Sequence, residues 1–281
     1  MKIQTVKTQK VLAATQISLA DYVINPYRGC EFGCVYCYSQ DNQNIKRDGF
    51  ESILSLKTNA PDVLAKELRF VKPRRVLLGS TTECFQYSEK TYHISEAILT
   101  ILNQRKIPYT ILTKSHLIAD YLPLIKQNPQ NKIYFTFNFA SDSLIALFEK
   151  KSPSIAQRLE TIKKIINEGI ALRIHIGPYI PYVSDYEAIL NLLPAGINEI
   201  DIELYHQKQG NFRQIMQAVQ KAIGQETAQK LEKIYSDADC YETYAQQLQQ
   251  NAMASAKQRN LTIYCIIPDF NKFYTPKIVY G

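Results

Sequence analysis

The stretch Asn25-Pro-Tyr-Arg-Gly-Cys30-Glu-Phe-Gly-Cys34-Val-Tyr-Cys37-Tyr38 decides how the rest of the sequence is interpreted. It holds three of the six cysteines in this chain of 281 residues. Their spacing also fits one face of an α-helix, on which buried cysteines would act as small hydrophobic residues. Pro26, Gly29 and Gly33 favour a loop instead, because glycine weakens a helix by about 1 kcal/mol relative to alanine. The pattern therefore predicts a loop that brings three thiolates to one ligand.

Two kinds of metal site fit three clustered thiolates. Structural zinc takes four protein ligands, so a distant Cys84, His93 or Cys240 would have to complete a zinc site. An iron–sulfur cluster is usually held by four thiolates. Three thiolates on a four-iron cluster leave one iron open to an exogenous ligand, which is the arrangement that catalysis needs.

Composition and charge set broad limits on the class of protein. Hydrophobic residues make up 46% of the chain and charged residues 21%, as in ordinary globular proteins. The net charge of +7 permits an anionic partner but does not require one, because the basic residues are scattered. The polar N-terminus and the absence of a long apolar run predict a cytoplasmic protein without membrane contact.

Short apolar runs alternate with amphipathic segments along most of the chain. This alternation predicts a parallel α/β sheet, in open or closed form, with right-handed crossovers. Residues 211–260 are mostly helical in pattern. The predicted strands are Arg75–Leu78, Tyr109–Thr113, Ile133–Phe139, Ala171–Ile176, Glu199–Leu204 and Leu261–Ile267, and the clearest predicted helices are Pro61–Phe70, Ser95–Gln104 and Ile155–Asn167.

The cysteine stretch resembles the signature of a known superfamily. Cys-x3-Cys-x2-Cys with an aromatic residue before the last cysteine is typical of the radical S-adenosylmethionine (SAM) enzymes. The longer string is similar to the branch that includes spore photoproduct lyase. Further similar segments follow in that branch's order: Leu78–Glu83, Thr113–Ser115, Phe135–Asn138, Ser152–Leu159 and Gly177–Pro181.

The resemblance implies both a fold and a reaction. The fold is an incomplete (β/α)6 barrel over residues 1–206, with residues 207–281 as a helical extension that ends in a strand and packs on the barrel. The implied cofactors are a [4Fe-4S] cluster and SAM, and the implied partners are a reductant such as flavodoxin or ferredoxin and an unidentified substrate. The cluster would reduce SAM to a 5′-deoxyadenosyl radical that abstracts hydrogen.

The resemblance also assigns roles to individual residues. Cys30, Cys34 and Cys37 are the expected iron ligands. Cys84 is either the hydrogen donor or a buried thiol without that role, because Ser80 lies closer to the position where the lyase has its donor cysteine. Polar residues after strand ends line the functional mouth of such barrels. The expected SAM-binding residues are Tyr36, Tyr38, Ser80, Thr82, Glu83, Lys114, Asn138 and Arg173.

Several residues and functions stay open on sequence alone. Glu203, Tyr205 and His206 are candidates to face the substrate, whereas His175 is expected to be an interior histidine. Tyr87, Tyr179, Tyr182, Tyr205 and Tyr274 are candidates to stack on a planar substrate. Two alternative functions are repair of a DNA photoproduct, which would make the substrate a nucleic acid, and a non-catalytic, metal-stabilised binding module.

Overall fold

A computed structural model describes residues 1–39, 52–207, 210–272 and 277–280 of the chain. Tyr274 lies outside these residues. The chain divides into two compact units. Unit 1 contains Met1–Gly33, Ser39–Phe135 and Ala156–Leu172, and unit 2 contains Cys34–Tyr38, Thr136–Ile155 and Arg173–Gly281.

Parallel strands with apolar side chains form the centre of unit 1. Strand β3 pairs in parallel with β6, β6 with β7, and β7 with β8. Strand β2 pairs with β3 in antiparallel orientation, and a second small sheet has the order β1-β5-β4. The strands are β1 (Lys2–Val6), β2 (Ala13–Ala14), β3 (Tyr22–Ile24), β4 (Tyr27–Arg28), β5 (Ile53–Lys57), β6 (Val76–Leu78), β7 (Tyr109–Thr113) and β8 (Lys132–Thr136).

The described helices of unit 1 follow its strands along the chain. All three residues of β6 are fully buried, as expected for a sheet covered on both faces. The helices are α1 (Ala60–Glu67), α2 (Glu89–Tyr92), α3 (Ile94–Gln104), α4 (Leu122–Ile125) after a 3-10 turn (His116–Tyr121), and α6 (Ile155–Asn167). The carboxyl ends of parallel strands meet at one edge, so the loops after β3, β6 and β7 come together.

Unit 2 has a sheet with one buried apolar face and one polar face. Strand β10 (Glu199–Leu204) lies parallel to both β9 (Ala171–Tyr179) and β11 (Thr262–Ile267). Strand β12 (Lys277–Tyr280) pairs antiparallel with β11. Isoleucines 174, 176, 200 and 202 are fully buried, and the residues between them in sequence carry the charged side chains.

Helices make up most of the rest of unit 2. Three of them begin with a side-chain cap: Ser141, Asp185 and Asp237 each accept a hydrogen bond from a backbone N–H of the first turn. The helices are α5 (Asp142–Phe148), α7 (Tyr186–Leu192), α8 (Phe212–Ala222), α9 (Gln225–Ile234) and α10 (Ala238–Arg259).

Most of the predicted elements are present, with differences at their ends. Tyr109–Thr113, Glu199–Leu204 and Ile155–Asn167 have the predicted bounds. Strand β8 ends at Thr136 and not at Phe139, so Asn138 lies in the segment after the strand. The domain boundary after residue 206 stays a prediction.

Candidate active site

The cysteine loop is not helical, so the helical-stripe alternative is wrong. Residues 30–37 form turns and one isolated bridge. Gly29 and Gly33 have φ values of 89° and 59°, in the left-handed region that glycine adopts without strain. None of the three cysteines forms a disulfide. Cys34 is buried, and Cys30 and Cys37 are partly exposed.

In unit 2, the second half of the loop is fixed by backbone contacts. Cys34 forms an isolated antiparallel bridge with Glu149. The Val35 N–H donates to the carbonyl of Phe148 over 2.8 Å, and the Cys37 N–H donates to the carbonyl of Cys34 over 3.2 Å. These contacts fix the backbone that carries two of the predicted iron ligands.

A buried polar network surrounds Tyr36 in the same unit. The Tyr36 hydroxyl donates to Oε1 of Glu149. The Asn138 amide Nδ2 donates to the Tyr36 hydroxyl over 2.8 Å and to Glu149 Oε1 over 3.3 Å. Asn138 Oδ1 accepts from the Gly177 N–H over 2.7 Å, and the Tyr36 carbonyl accepts from Asn211 Nδ2 over 2.5 Å. Both ends of the Asn138 amide are thus engaged inside the protein.

In unit 1, the loop after β6 contacts the start of the cysteine stretch. Asn25 Nδ2 donates to the Ser80 hydroxyl over 3.1 Å, and Asn25 Oδ1 accepts from the Thr81 N–H over 2.9 Å. The Thr82 hydroxyl donates to the Gly29 carbonyl over 2.6 Å. Ser80 and Thr82 are both buried, so these bonds define the shape of the loop.

Glu83 is a buried carboxylate that joins the loops after β6 and β7. One oxygen accepts from the Phe85 N–H (3.0 Å) and the Thr113 hydroxyl (2.7 Å), and the other from the Lys114 N–H (3.1 Å). Burial raises the Glu83 pKa, although these three bonds and the nearby Lys114 ammonium oppose the rise. Lys114 itself is partly exposed at the end of β7.

Arg173 lies on the polar face of the unit 2 sheet and is bound by carboxylates. Its Nε contacts Glu199 at 2.9 Å, and its Nη1 contacts Asp201 at 3.0 Å. The guanidinium carbon lies 4.0 Å from the centroid of the Tyr264 ring. A partly buried guanidinium is stabilised by such partners, and here they come from the neighbouring strands.

His175 lies beside Arg173 on the same polar face. Its Nδ1 is 3.8 Å from Asp201 and its Nε2 is 3.5 Å from Glu203. A Cβ on Gly177 would lie 2.2 Å from His175 Nε2, so only glycine leaves room for this ring. Burial raises the pKa of Glu203, and the neighbouring Asp201 adds to the rise while His175 opposes it.

The remaining candidates differ in exposure. Cys84 has no exposed surface, and its pKa is raised well above the usual range by burial and by the nearby Glu83 and Glu89 carboxylates. Its role as hydrogen donor stays a prediction. Tyr205 and His206 are both buried, and Tyr38 is partly exposed.

The structure brings the predicted residues together in two groups. Unit 1 groups the loops after β3, β6 and β7 through Ser80, Thr82, Glu83 and Lys114. Unit 2 groups Cys34, Tyr36 and Asn138. Within the described ranges, no three Cys, His, Asp or Glu side chains form a site for a single metal ion. The predicted cluster ligands stay a prediction.

Sequence reasoning missed three residues of these groups: Asn25, Glu149 and Asn211. Asn25 lies in the cysteine stretch, but no pattern there indicates a role for its side chain. Glu149 precedes two lysines and ends a helix, which is the pattern of a solvated surface, and yet its side chain has no exposed area. Asn211 has no signal in the sequence, because its contact to Tyr36 joins residues that are far apart in the chain.

The comparison with protein-family models decides the family. The model described as Radical SAM superfamily matches residues 24–193, which is more than half of the 281 residues. The chain belongs to the radical SAM superfamily. The matched segment contains the cysteine loop and every predicted SAM-binding residue, from Tyr36 to Arg173.

Relatives with similar sequences extend beyond one lineage. An uncharacterised protein of Methanocaldococcus jannaschii is 29% identical over 191 residues, which are 68% of this chain and 72% of that protein. An uncharacterised protein of Mycobacterium tuberculosis is 30% identical over 173 residues, 58% of this chain, and the match spans about half (51%) of its length. Spore photoproduct lyase of Clostridium acetobutylicum is 21% identical over 192 residues, 66% of this chain and 55% of that enzyme.

Solved structures of spore photoproduct lyase variants share the fold. One superimposes with a TM-score of 0.61 at 19% identity, covering 78% of this chain and 67% of that chain. Another variant, with bound AdoMet and dinucleoside spore photoproduct, gives a TM-score of 0.60 at 19% identity and covers 78% and 66%. The predicted fold class, an α/β fold of the radical SAM type with a parallel sheet and helices, is confirmed.

The family also bears on the predicted class of enzyme, the cofactors and the partners. The class of enzyme, a radical SAM enzyme, follows from the family model and the shared fold. The family implies SAM and a [4Fe-4S] cluster, together with a reductant and a substrate. Among the described residues, no helix is long and apolar enough to span a membrane.

Proposed function

We propose that Cys30, Cys34 and Cys37 hold a [4Fe-4S] cluster and that the protein cleaves SAM reductively to start hydrogen abstraction from an unidentified substrate. The observation that carries this proposal is the non-helical loop with three cysteines, none of them in a disulfide, within the radical SAM segment. When bound, the cluster would supply the one electron that breaks the bond between sulfur and C5′ of SAM, which gives methionine and a 5′-deoxyadenosyl radical. An acidic electron carrier such as flavodoxin or ferredoxin is the proposed reductant.

The donor set fits the chemistry of such a cluster. Cysteine thiolates are the usual ligands of iron–sulfur clusters. Cys34 is buried whereas Cys30 and Cys37 are partly exposed, so the loop has a closed side and an open side. Three thiolates leave one iron of the cluster for the amino and carboxylate groups of SAM.

The residues proposed for SAM differ in how far their side chains are exposed. Lys114 and Tyr38 are partly exposed and are proposed to contact SAM directly. The loop after β6 is held in shape by hydrogen bonds of Ser80, Thr82 and Glu83. These residues would fix the conformation and the charge of the loop that faces the cofactor. Tyr36, Asn138 and Arg173 already bind other residues, so their part would be to orient the surroundings of SAM.

The test is iron uptake by single alanine variants under anaerobic conditions. The unaltered protein should take up about four iron atoms per chain and show the spectrum of a [4Fe-4S] cluster. Cys30→Ala, Cys34→Ala and Cys37→Ala should each lose it. Cys240→Ala is the matched control, because Cys240 is also a partly exposed cysteine outside any disulfide but lies on helix α10. Full iron uptake by any of the first three variants would contradict the ligand assignment.

A second candidate function is repair of a DNA photoproduct. It is favoured by the shared fold with a lyase variant whose structure contains dinucleoside spore photoproduct, and by the net charge of +7. Phosphate contacts make DNA affinity fall steeply with salt. Binding of an ultraviolet-treated oligonucleotide that weakens steeply with salt would favour this substrate, and the absence of binding at low salt would exclude it. A non-catalytic module, in contrast, would show neither SAM affinity nor SAM cleavage.

A further inference from the structure

Glu149 is a carboxylate with no exposed surface at the end of helix α5. The proposed reaction gives it no task. Carboxylates are seldom fully buried unless hydrogen bonds or charges compensate for the lost hydration. Its side chain binds Tyr36 and Asn138, and its backbone pairs with Cys34; all four residues belong to unit 2.

The backbone of Glu149 is the first link to the loop. It forms the antiparallel bridge with Cys34, next to the 2.8 Å bond from the Val35 N–H to the Phe148 carbonyl. The backbone at the end of α5 therefore pairs with the loop in the way that a neighbouring β-strand would. Cys34, a proposed iron ligand, is the residue opposite Glu149 in this pairing.

The side chain of Glu149 is the second link. The Tyr36 hydroxyl has one hydrogen and accepts the 2.8 Å bond from Asn138 Nδ2, so its hydrogen is directed to Glu149 Oε1. Asn138 Nδ2 also donates to Glu149 Oε1, over 3.3 Å. The orientation of the Asn138 amide is fixed independently, because Oδ1 accepts from the Gly177 N–H.

We propose that Glu149 is a positioning residue that shapes the Cys34–Cys37 turn before iron binds. The proposal rests on the proposed function, in that the turn carries two ligands of the cluster. The length of the Glu149 side chain is what matters in this role. The side chain reaches the hydroxyl of Tyr36, one residue before Cys37, while the Glu149 backbone is paired with Cys34. Residues that orient metal ligands in this way typically change metal affinity or activity by about 10–100-fold when they are replaced.

Two conservative variants separate geometry from charge. Glu149→Gln keeps the length of the side chain and an oxygen that can accept from Tyr36 and Asn138. Glu149→Asp keeps the charge but is one methylene shorter, so it cannot keep the backbone pairing and reach the Tyr36 hydroxyl together. A positioning role predicts that Glu149→Asp loosens the Cys34–Cys37 turn and shortens the lifetime of the cluster. It predicts that Glu149→Gln leaves both close to those of the unaltered protein. A role of charge predicts the reverse order.

The first readout needs no metal. Hydrogen exchange of the peptide that contains residues 34–37 is measured in the metal-free protein. It should be roughly tenfold faster in Glu149→Asp, the change expected when a buried hydrogen bond is lost. Glu187→Asp is the matched control: Glu187 also bridges two partners in unit 2, Ser255 and Arg259, but neither belongs to the loop. It should leave this peptide unchanged.

The second readout is the cluster itself. In iron-loaded protein, the half-life of the cluster in excess chelator should fall about tenfold or more in Glu149→Asp and little in Glu149→Gln. The electron paramagnetic resonance signal of the reduced cluster should change in the aspartate variant, whereas a merely structural loss of stability would leave the signal unchanged.

The possible failures are distinguishable. If the unaltered protein takes up no iron, the proposed function is wrong, and the exchange experiment still decides whether Glu149 shapes the loop. If Glu149→Asp exchanges and holds iron like the unaltered protein, or if Glu149→Gln is the more impaired of the two, the positioning role is wrong.

Discussion

Replacing Gly79 with alanine tests how the loop after β6 is built. Gly79 follows strand β6 with φ at +86°, and a Cβ there would lie 2.5 Å from the Leu112 carbonyl oxygen of β7. The left-handed backbone costs about 1–2 kcal/mol for a residue with a Cβ. The close contact is with backbone of a central strand, which cannot move away easily, and overpacking of this kind costs about 1–3 kcal/mol. Gly79→Ala should therefore lower the free energy of unfolding by about 2–5 kcal/mol.

The measurement is urea unfolding followed by far-ultraviolet circular dichroism. Gly169→Ala is the matched control, because Gly169 also has a left-handed φ, +68°, but a Cβ there would meet nothing within 4 Å. The free energy of unfolding of the control should fall only by the cost of backbone strain, which is about 1–2 kcal/mol. Since both variants restrict the unfolded chain equally, their difference isolates the contact with Leu112. Equal losses in the two variants would refute the close packing of this loop on β7.

Three other substitutions have defined outcomes. Cys84→Ala should leave the number of thiols that react in the folded protein unchanged, because the Cys84 thiol is fully buried and its pKa is raised; a lower number would show that Cys84 is accessible. Arg173→Ala should lower the free energy of unfolding by about 3–5 kcal/mol, because it leaves the buried Asp201 without its cation; a loss below about 1 kcal/mol would contradict the pairing. Because the folded-state pKa of Glu203 is raised, its contribution to stability is present below the ordinary value of 4.5 and is lost as pH rises through the folded pKa. Glu203→Gln should therefore make the fall in melting temperature above pH 4.5 shallower, and an unchanged fall would contradict the raised pKa.

Sequence patterns predicted the strands whose signal is local and strong. Tyr109–Thr113 and Glu199–Leu204 are runs of β-branched and aromatic residues between polar segments, and the structure gives them the predicted bounds. Strands β1 and β5 were not predicted. The residues of β1 are mostly exposed, and its pairing with β5 joins segments some fifty positions apart, which no local pattern reports.

Parts of the candidate site were likewise predictable from local sequence patterns, and other parts depend on contacts between distant residues. The cysteine spacing and the polar residues after strand ends are visible in the sequence, and they located the loops that hold Ser80, Glu83 and Lys114. The sequence did not show which side chains would contact each other in the folded protein. Arg173 was predicted to bind SAM, and no sequence pattern indicated that the parallel register of β9 and β10 supplies Glu199 and Asp201 as its partners. The burial of Glu149 likewise depends on tertiary contacts.

The most direct test of the central claim is formation of 5′-deoxyadenosine. Iron-loaded protein is incubated anaerobically with SAM and a strong reductant, and the product is quantified by chromatography. The account predicts product that requires both SAM and reductant in the unaltered protein and in Cys240→Ala. It predicts none in Cys30→Ala, Cys34→Ala or Cys37→Ala. Iron-loaded, unaltered protein that forms no 5′-deoxyadenosine, or a Cys34→Ala variant that forms as much, would contradict it.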